Sequence, residues 1–117
     1  MVKERIDEPF CRSDLVAIVF GHRQAPLIKR AVAVPGDRVK IKNNRLFINK
    51  IYSGPVNQKK MRSTIKQLAR YNGVIPPGNL FVLGDNLKNS RDSRRLGLIP
   101  FDLVKGKASK IIRSQQL

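Results

Sequence analysis

The stretch Ile28-Lys29-Arg30-Ala31-Val32-Ala33-Val34-Pro35-Gly36-Asp37 sets two adjacent cations inside an apolar, partly β-branched run and closes it with a turn. Successive residues of a strand point to opposite faces. One of Lys29 and Arg30 therefore faces inward or into a cleft. The other reading is an edge strand from which both cations reach solvent. Burial disfavours the charged form of a lysine, and a lysine deprotonated near neutral pH serves as a general base. Pro35-Gly36-Asp37 is strong turn chemistry, and it ends the strand.

Outward from this stretch the chain reads mostly as strands. Residues 14–20 (DLVAIVF) are a short, buried-strand run. Residues 21–26 form a loop holding His22, and residues 27–34 are the second strand. In residues 38–42 (RVKIK), Val39 and Ile41 share a face; in residues 45–49 (RLFIN), Leu46 and Ile48 do, with Phe47 opposite. Asn43-Asn44 between them suits a two-residue hairpin turn, since Asn tolerates positive φ. Residues 78–83 (GNLFVL) give another strand, and residues 108–112 a final one. Residues 50–76 differ, being punctuated by Gly54-Pro55 and Pro76-Pro77. Within them Met61, Ile65, Leu68 and Ala69 recur at helical spacing, with Lys59, Lys60, Arg62, Lys66 and Arg70 on the remaining face. The predicted fold is mostly β: strongly bent antiparallel sheets around a small Val/Ile/Leu core, with one short basic helix over 59–70.

At 117 residues the chain is one domain, residues 1–117. Its 41% hydrophobic content and mean hydropathy of -0.31 are those of a globular protein. No apolar run approaches ~20 residues, so no transmembrane helix is predicted. Residues 1–8 (MVKERIDE) are charged and do not read as a signal peptide. The formal net charge of +16, with a pI near 11.0, draws the surface to polyanions, either nucleic acid or an anionic bilayer. No aromatic platform or nucleic-acid motif stands out beside it. The single cysteine, Cys11, excludes an internal disulfide and a multi-cysteine zinc site, and reads as a small apolar filler. The single histidine, His22, reads as a loop residue; it leaves no Ser-His-Asp triad unless it is itself the base. No metal site is predicted.

A second segment is dense in functional groups: Gly84-Asp85-Asn86-Leu87-Lys88-Asn89-Ser90-Arg91-Asp92-Ser93-Arg94, followed by Gly97. So many polar groups in one tight loop must pair with one another or with water. Asp92 and Arg94 stand two residues apart and can pair, while Asp85 is free to take a cation from elsewhere. The plain alternative is a solvated polar turn.

Together the two segments resemble the type I signal peptidase family, which includes the pilin-processing peptidases of conjugation systems. The family's lysine segment reads Ile-Lys-Arg, a few small or apolar residues, then Pro-Gly-Asp, here residues 28–37. Its later box reads Gly-Asp-Asn, then Asn-Ser, any residue, and Asp-Ser-Arg, here residues 84–94. Residues 74–83 (VIPPGNLFVL) are similar to the lead-in to that box. Residues 12–20 are similar to the strand that usually begins Gly-Asp, with Ser13 in the glycine's place. The resemblance is strongest over 12–108, with 50–76 as a variable insertion.

The resemblance implies a serine endopeptidase that removes signal peptides from pre-proteins or pre-pilins with a Ser-Lys dyad and no cofactor. Lys29 then matches the general base, and Ser90 the serine that orients it. Arg30 matches the partner of Asp85, Asp92 and Arg94 an internal ion pair, and Pro35, Gly36 and Asp37 the turn after the base-bearing strand. The implied place is the outer face of a bacterial inner membrane, and the implied partners are a signal peptide and an anionic membrane surface. The family's nucleophile lies in a Ser-Met box upstream of the first strand, and no Ser-Met pair occurs in these 117 residues. Ser13, Ser53, Ser63, Ser90 and Ser93 do not match that position, so the nucleophile is unassigned and a chain truncated at its N-terminus is expected. Two further readings stand beside the peptidase: an inactive relative that binds peptides or a partner, and a basic β domain that binds nucleic acid.

Overall fold

Alternating apolar residues and the turn residues between them yield eight short strands in the computed structural model, which describes residues 10–21, 25–85 and 91–107. The strands are β1 (Leu15–Ile18), β2 (Leu27–Ala33), β3 (Val39–Lys42), β4 (Arg45–Ile48), β5 (Ile51–Pro55), β6 (Asn79–Leu83), β7 (Ile99–Pro100) and β8 (Val104–Lys107). The helices are α1 (Arg62–Ala69), entered through a 3-10 turn at Gln58–Met61, and α2 (Ser93–Leu96), with a second 3-10 turn at Phe101–Leu103. One antiparallel sheet has the order β7-β6-β2-β1-β8, and the other has β3-β4-β5. The mostly-β expectation with one basic helix therefore holds. His22 and residues 108–112 lie outside the described residues, and the last described strand is β8.

The small sheet is a hairpin extended by one strand. Asn43 and Asn44 take φ of 53° and 61°, the left-handed pair that a two-residue turn matched to strand twist requires. Val39 then faces Ile48, and Ile41 faces Leu46. A second turn at Asn49-Lys50, with φ of 51° and 72°, returns the chain as β5. No strand is predicted over 51–55, where Gly54-Pro55 reads as punctuation. As an edge strand β5 tolerates its proline.

Two apolar clusters hold the layers. Val39, Leu46, Ile48 and Val56 of the small-sheet region pack with Met61 and Leu68 of the helical segment and with Phe81 of β6. Phe10, Val16, Ile18, Ala31, Leu80, Val82, Ile99 and Val104 form the second cluster. A register shift between Ala31 and Ala33 in the β2–β6 pairing sends those two alanines into different clusters. The core rests on Val, Ile and Leu, with Phe81 its largest fully buried side chain.

Candidate active site

The site is built around the N-terminal half of β2. In the β1–β2 ladder Lys29 lies opposite Val16, and Arg30 opposite Leu15. Lys29 is only 5% exposed and shares a strand face with Ala31, which is fully buried. Among the described residues no carboxylate or hydrogen-bond acceptor pairs with it. Arg30 takes the opposite face, so the edge-strand alternative with both cations in solvent is not what forms.

β6 pairs with β2 only from Arg30 to Ala33. Residues 27–29 therefore have β1 on one side and, among the described residues, no strand on the other. Among the described residues, an open strand edge begins at the buried lysine.

Arg30 is fixed by Asp85, which follows β6. Its Nε donates to Asp85 Oδ1 at 3.1 Å and its Nη2 to Oδ2 at 3.0 Å, while Nη1 donates to the Ser13 carbonyl at 2.8 Å. The hydrogen bonds from Arg30, aided by its charge, hold the Asp85 carboxyl below the usual carboxylate range and raise Arg30 in turn; desolvation opposes both shifts. A depressed carboxyl contributes stability above its unfolded pKa and loses it as pH falls through the folded value. The pair is largely solvent-exposed, so that contribution is small. Its geometric effect is to tie the loop after β6 to the strand that carries Lys29.

The later box is anchored from inside. Asp92 is fully buried, and its carboxylate accepts from Gly84 N at 2.8 Å and Arg94 N at 3.0 Å. The Arg94 guanidinium closes on it from Nη2 at 2.6 Å and from Nε at 3.0 Å. Asp92 is thus the N-cap of α2 as well as an ion-pair partner. The hydroxyl oxygen of buried Ser93 accepts from Val82 N of β6 at 2.8 Å. Where the sequence predicts a dense polar loop, residues 93–96 form a helical turn capped by Asp92. Ser90 lies outside the described residues.

Two contacts came from the variable segment and were missed. Thr64 of α1, buried, donates to the Ser93 carbonyl at 2.9 Å, and Gln67 accepts from Leu98 N at 2.9 Å. A Cβ at Gly97 would stand 2.5 Å from Gln67 Oε1, and Gly97 takes φ of +82°, so glycine is required where the helix meets the box. The signal for Thr64 was its place three residues after Met61, on the inward stripe.

The turn after β2 is centred on Asp37. Its carboxylate accepts from Val34 N, from Asn49 Nδ2 and from Arg12 Nη1, at 2.9, 3.0 and 2.8 Å. Gly36 takes φ of +93°, and its N–H donates to the Ile75 carbonyl. Pro35, Gly36 and Asp37 thus join β2 to the small sheet. A cleft of about 300 Å³ opens between the sheets, lined by Arg12, Ser13, Arg30, Val32, Ile48 and Ile51 among others.

Ser13, at the mouth of that cleft, has φ of +80°. Its N–H donates to the Ala31 carbonyl at 2.7 Å. A left-handed conformation costs an L-residue roughly 1–2 kcal/mol, and glycine avoids that at some cost in unfolded-state entropy. Ser13→Gly is expected to raise stability by about 0.5–1 kcal/mol, read as a higher urea midpoint at unchanged slope. A lower midpoint would mean that the Ser13 side chain has a stabilising partner.

Comparisons with known proteins bear on the family and the fold. The model of the family "Signal peptidase, peptidase S26" matches residues 1–112. The chain is 32% identical over 109 residues to Signal peptidase I of Bacillus caldolyticus, covering 85% of this chain and 59% of that protein. It is 34% identical over 108 residues to Signal peptidase IB of Staphylococcus aureus, covering 80% and 56%. A crystal structure of a signal peptidase I from Enterococcus faecalis superposes with a TM-score of 0.57 at 23% identity, over 86% of this chain and 97% of that one; this likeness shows the fold. The chain belongs to the peptidase S26, signal peptidase I family. It spans between half and two thirds of the length of these two curated relatives. Among the described residues no helix is long and apolar enough to cross a membrane.

Proposed function

We propose that this chain is the core of a signal-peptidase-like serine endopeptidase in which Lys29 is the general base. The observation that carries the reading is a lysine buried on an apolar strand, with no carboxylate partner among the described residues and beside a strand edge that no described strand covers. Burying an ammonium without a counter-charge is costly, so such a residue is retained for chemistry rather than for stability. An extended peptide added along residues 27–29 would gain main-chain hydrogen bonds and bring its scissile bond to Lys29. Lys29 would take the proton of a serine hydroxyl as that oxygen attacks the carbonyl, then return it to the leaving amine. Water would hydrolyse the acyl-enzyme in the second half of the cycle. Ser90 would orient the lysine. The Arg30–Asp85 pair would tie Asp85 to β2, and the Asp92–Arg94 pair would anchor Asp92 against Gly84 at the end of β6. The substrates would be signal peptides of pre-proteins, met at the outer face of a bacterial inner membrane.

The test is processing of a signal-peptide-bearing pre-protein by the protein expressed from its own gene in its native reading frame. Cleavage by the wild type that is lost in Lys29→Ala supports the dyad. Cleavage retained in Lys29→Ala removes it. The second reading, peptide binding without turnover, is favoured by the lack of a Ser-Met pair in residues 1–117. Pre-protein bound but left intact by the wild type would establish that reading.

A further inference from the structure

We propose that the outer face of the β3–β5 sheet is a binding platform for single-stranded nucleic acid. The inference is independent of the peptidase reading, and its test involves no turnover. Residues 38–84 carry ten lysines and arginines and no aspartate or glutamate. The small sheet lies inside that one-sign region. Its inner face is covered by the apolar cluster that takes in Val39, Leu46 and Ile48.

The strand register composes the outer face. Lys40 lies opposite Phe47, and Phe47 opposite Tyr52, while Lys42 lies opposite Arg45. The three cations are exposed, and among the described residues none pairs with a carboxylate. Tyr52 is 53% exposed. Its ring meets that of Phe47 edge-on, with centroids 5.9 Å apart. That contact covers one ring face of the pair, where stacking would cover two. Arg45, Phe47 and Tyr52 line a cleft of about 270 Å³. At the Arg45–Pro55 end of the ladder lies a second cleft of about 580 Å³, lined by Asn44, Pro55, Asn57 and Lys59 among others. The platform is invisible in the sequence because a turn separates Phe47 from Tyr52; strand pairing brings the two rings together.

The rings decide between polyanions. Unpaired bases offer a flat π face at every step of the strand. Stacking on aromatic side chains, with lysine and arginine tracking the phosphates, holds such strands without sequence preference. A duplex keeps its bases stacked on one another and would use the cations alone. An acidic peptide would likewise leave the rings idle. A bilayer calls for an aliphatic side chain on the same face as the tyrosine. Ile51, the neighbour of Tyr52, instead pairs with Ile48 and lines the cleft between the two sheets. The outer face therefore matches a single strand in both charge and shape.

The experiment is fluorescence anisotropy of a labelled oligothymidine, about ten nucleotides long, titrated with the chain at several salt concentrations. Circular dichroism checks the folding of each variant. Tyr52→Leu is expected to bind about tenfold more weakly, the loss of one stacked base, and Tyr52→Phe to bind like the wild type. Lys40→Gln with Lys42→Gln is expected to flatten the dependence of log affinity on log salt by about 1.4, at about 0.7 for each phosphate contact. Arg62→Gln with Lys66→Gln removes the same charge from α1, which packs against the covered side of the small sheet. That control is expected to change the slope little. Equal slope changes in the two pairs would mean diffuse attraction and overturn the proposal, as would unweakened binding in Tyr52→Leu. Duplex DNA or polyglutamate held as tightly as the oligothymidine would overturn it too, and would assign the face to polyanions at large.

Discussion

Asp92→Asn is expected to lower stability by about 3 kcal/mol, near the lower end of the cost of breaking a buried ion pair from one side. The carboxylate is fully buried, and its hydrogen bonds from Gly84 N, Arg94 N and the Arg94 guanidinium leave no slack. An amide at this position keeps one acceptor oxygen but turns an NH2 either toward Gly84 N–H and Arg94 Nη2 or toward the backbone N–H and Nε of Arg94. One of those donor pairs then loses its partner inside the protein, where the desolvation cost is not recovered. The loss is large beside the ~5–15 kcal/mol that holds a small domain together. It corresponds to a fall of about 10–20 °C in melting temperature for a domain of this size. Arg94→Ala is expected to cost a similar amount, because it leaves the buried carboxylate without its cation. The check is thermal melting of both variants; unchanged melting in both would mean that the α2 cap does not hold the box.

What was legible in the sequence was what local chemistry decides. The stretch around Lys29 and Arg30 specified a strand, its two faces and its closing turn. Asn43-Asn44 specified a hairpin, which then fixed the register of β3 on β4. β5 was illegible because its pairing partner, not its own residues, makes it a strand. α2 was illegible because four residues cannot show a helical period; only the capping aspartate marked it. The link between Arg30 and Asp85 spans 55 positions, so composition and spacing left it open and the resemblance supplied it. The anchoring of the box by Thr64 and Gln67 depends on how α1 packs, which the inward stripe implies only as a direction. Ser13 was legible as a substitution at a position the family gives to glycine, and its positive φ supplies the reason.

Lys29→Met is expected to raise stability while removing any peptidase activity. Methionine nearly matches the lysine stem in length and flexibility, so it fills the same space beside Val16 without a cavity. It deletes a buried amine with no carboxylate partner among the described residues. Replacing buried charged groups by apolar ones of like volume stabilises by roughly 1–3 kcal/mol when packing is kept. Removing a general base costs roughly a hundredfold to ten-thousandfold in rate. Opposite signs for stability and turnover are the mark of a residue kept against the interest of the fold. Denaturant melting and pre-protein processing read the two effects separately. A variant that melts lower than the wild type would show that the lysine is held by a structural partner. Its burial would then be a feature of the fold, and the case for Lys29 as a base would lose its physical ground.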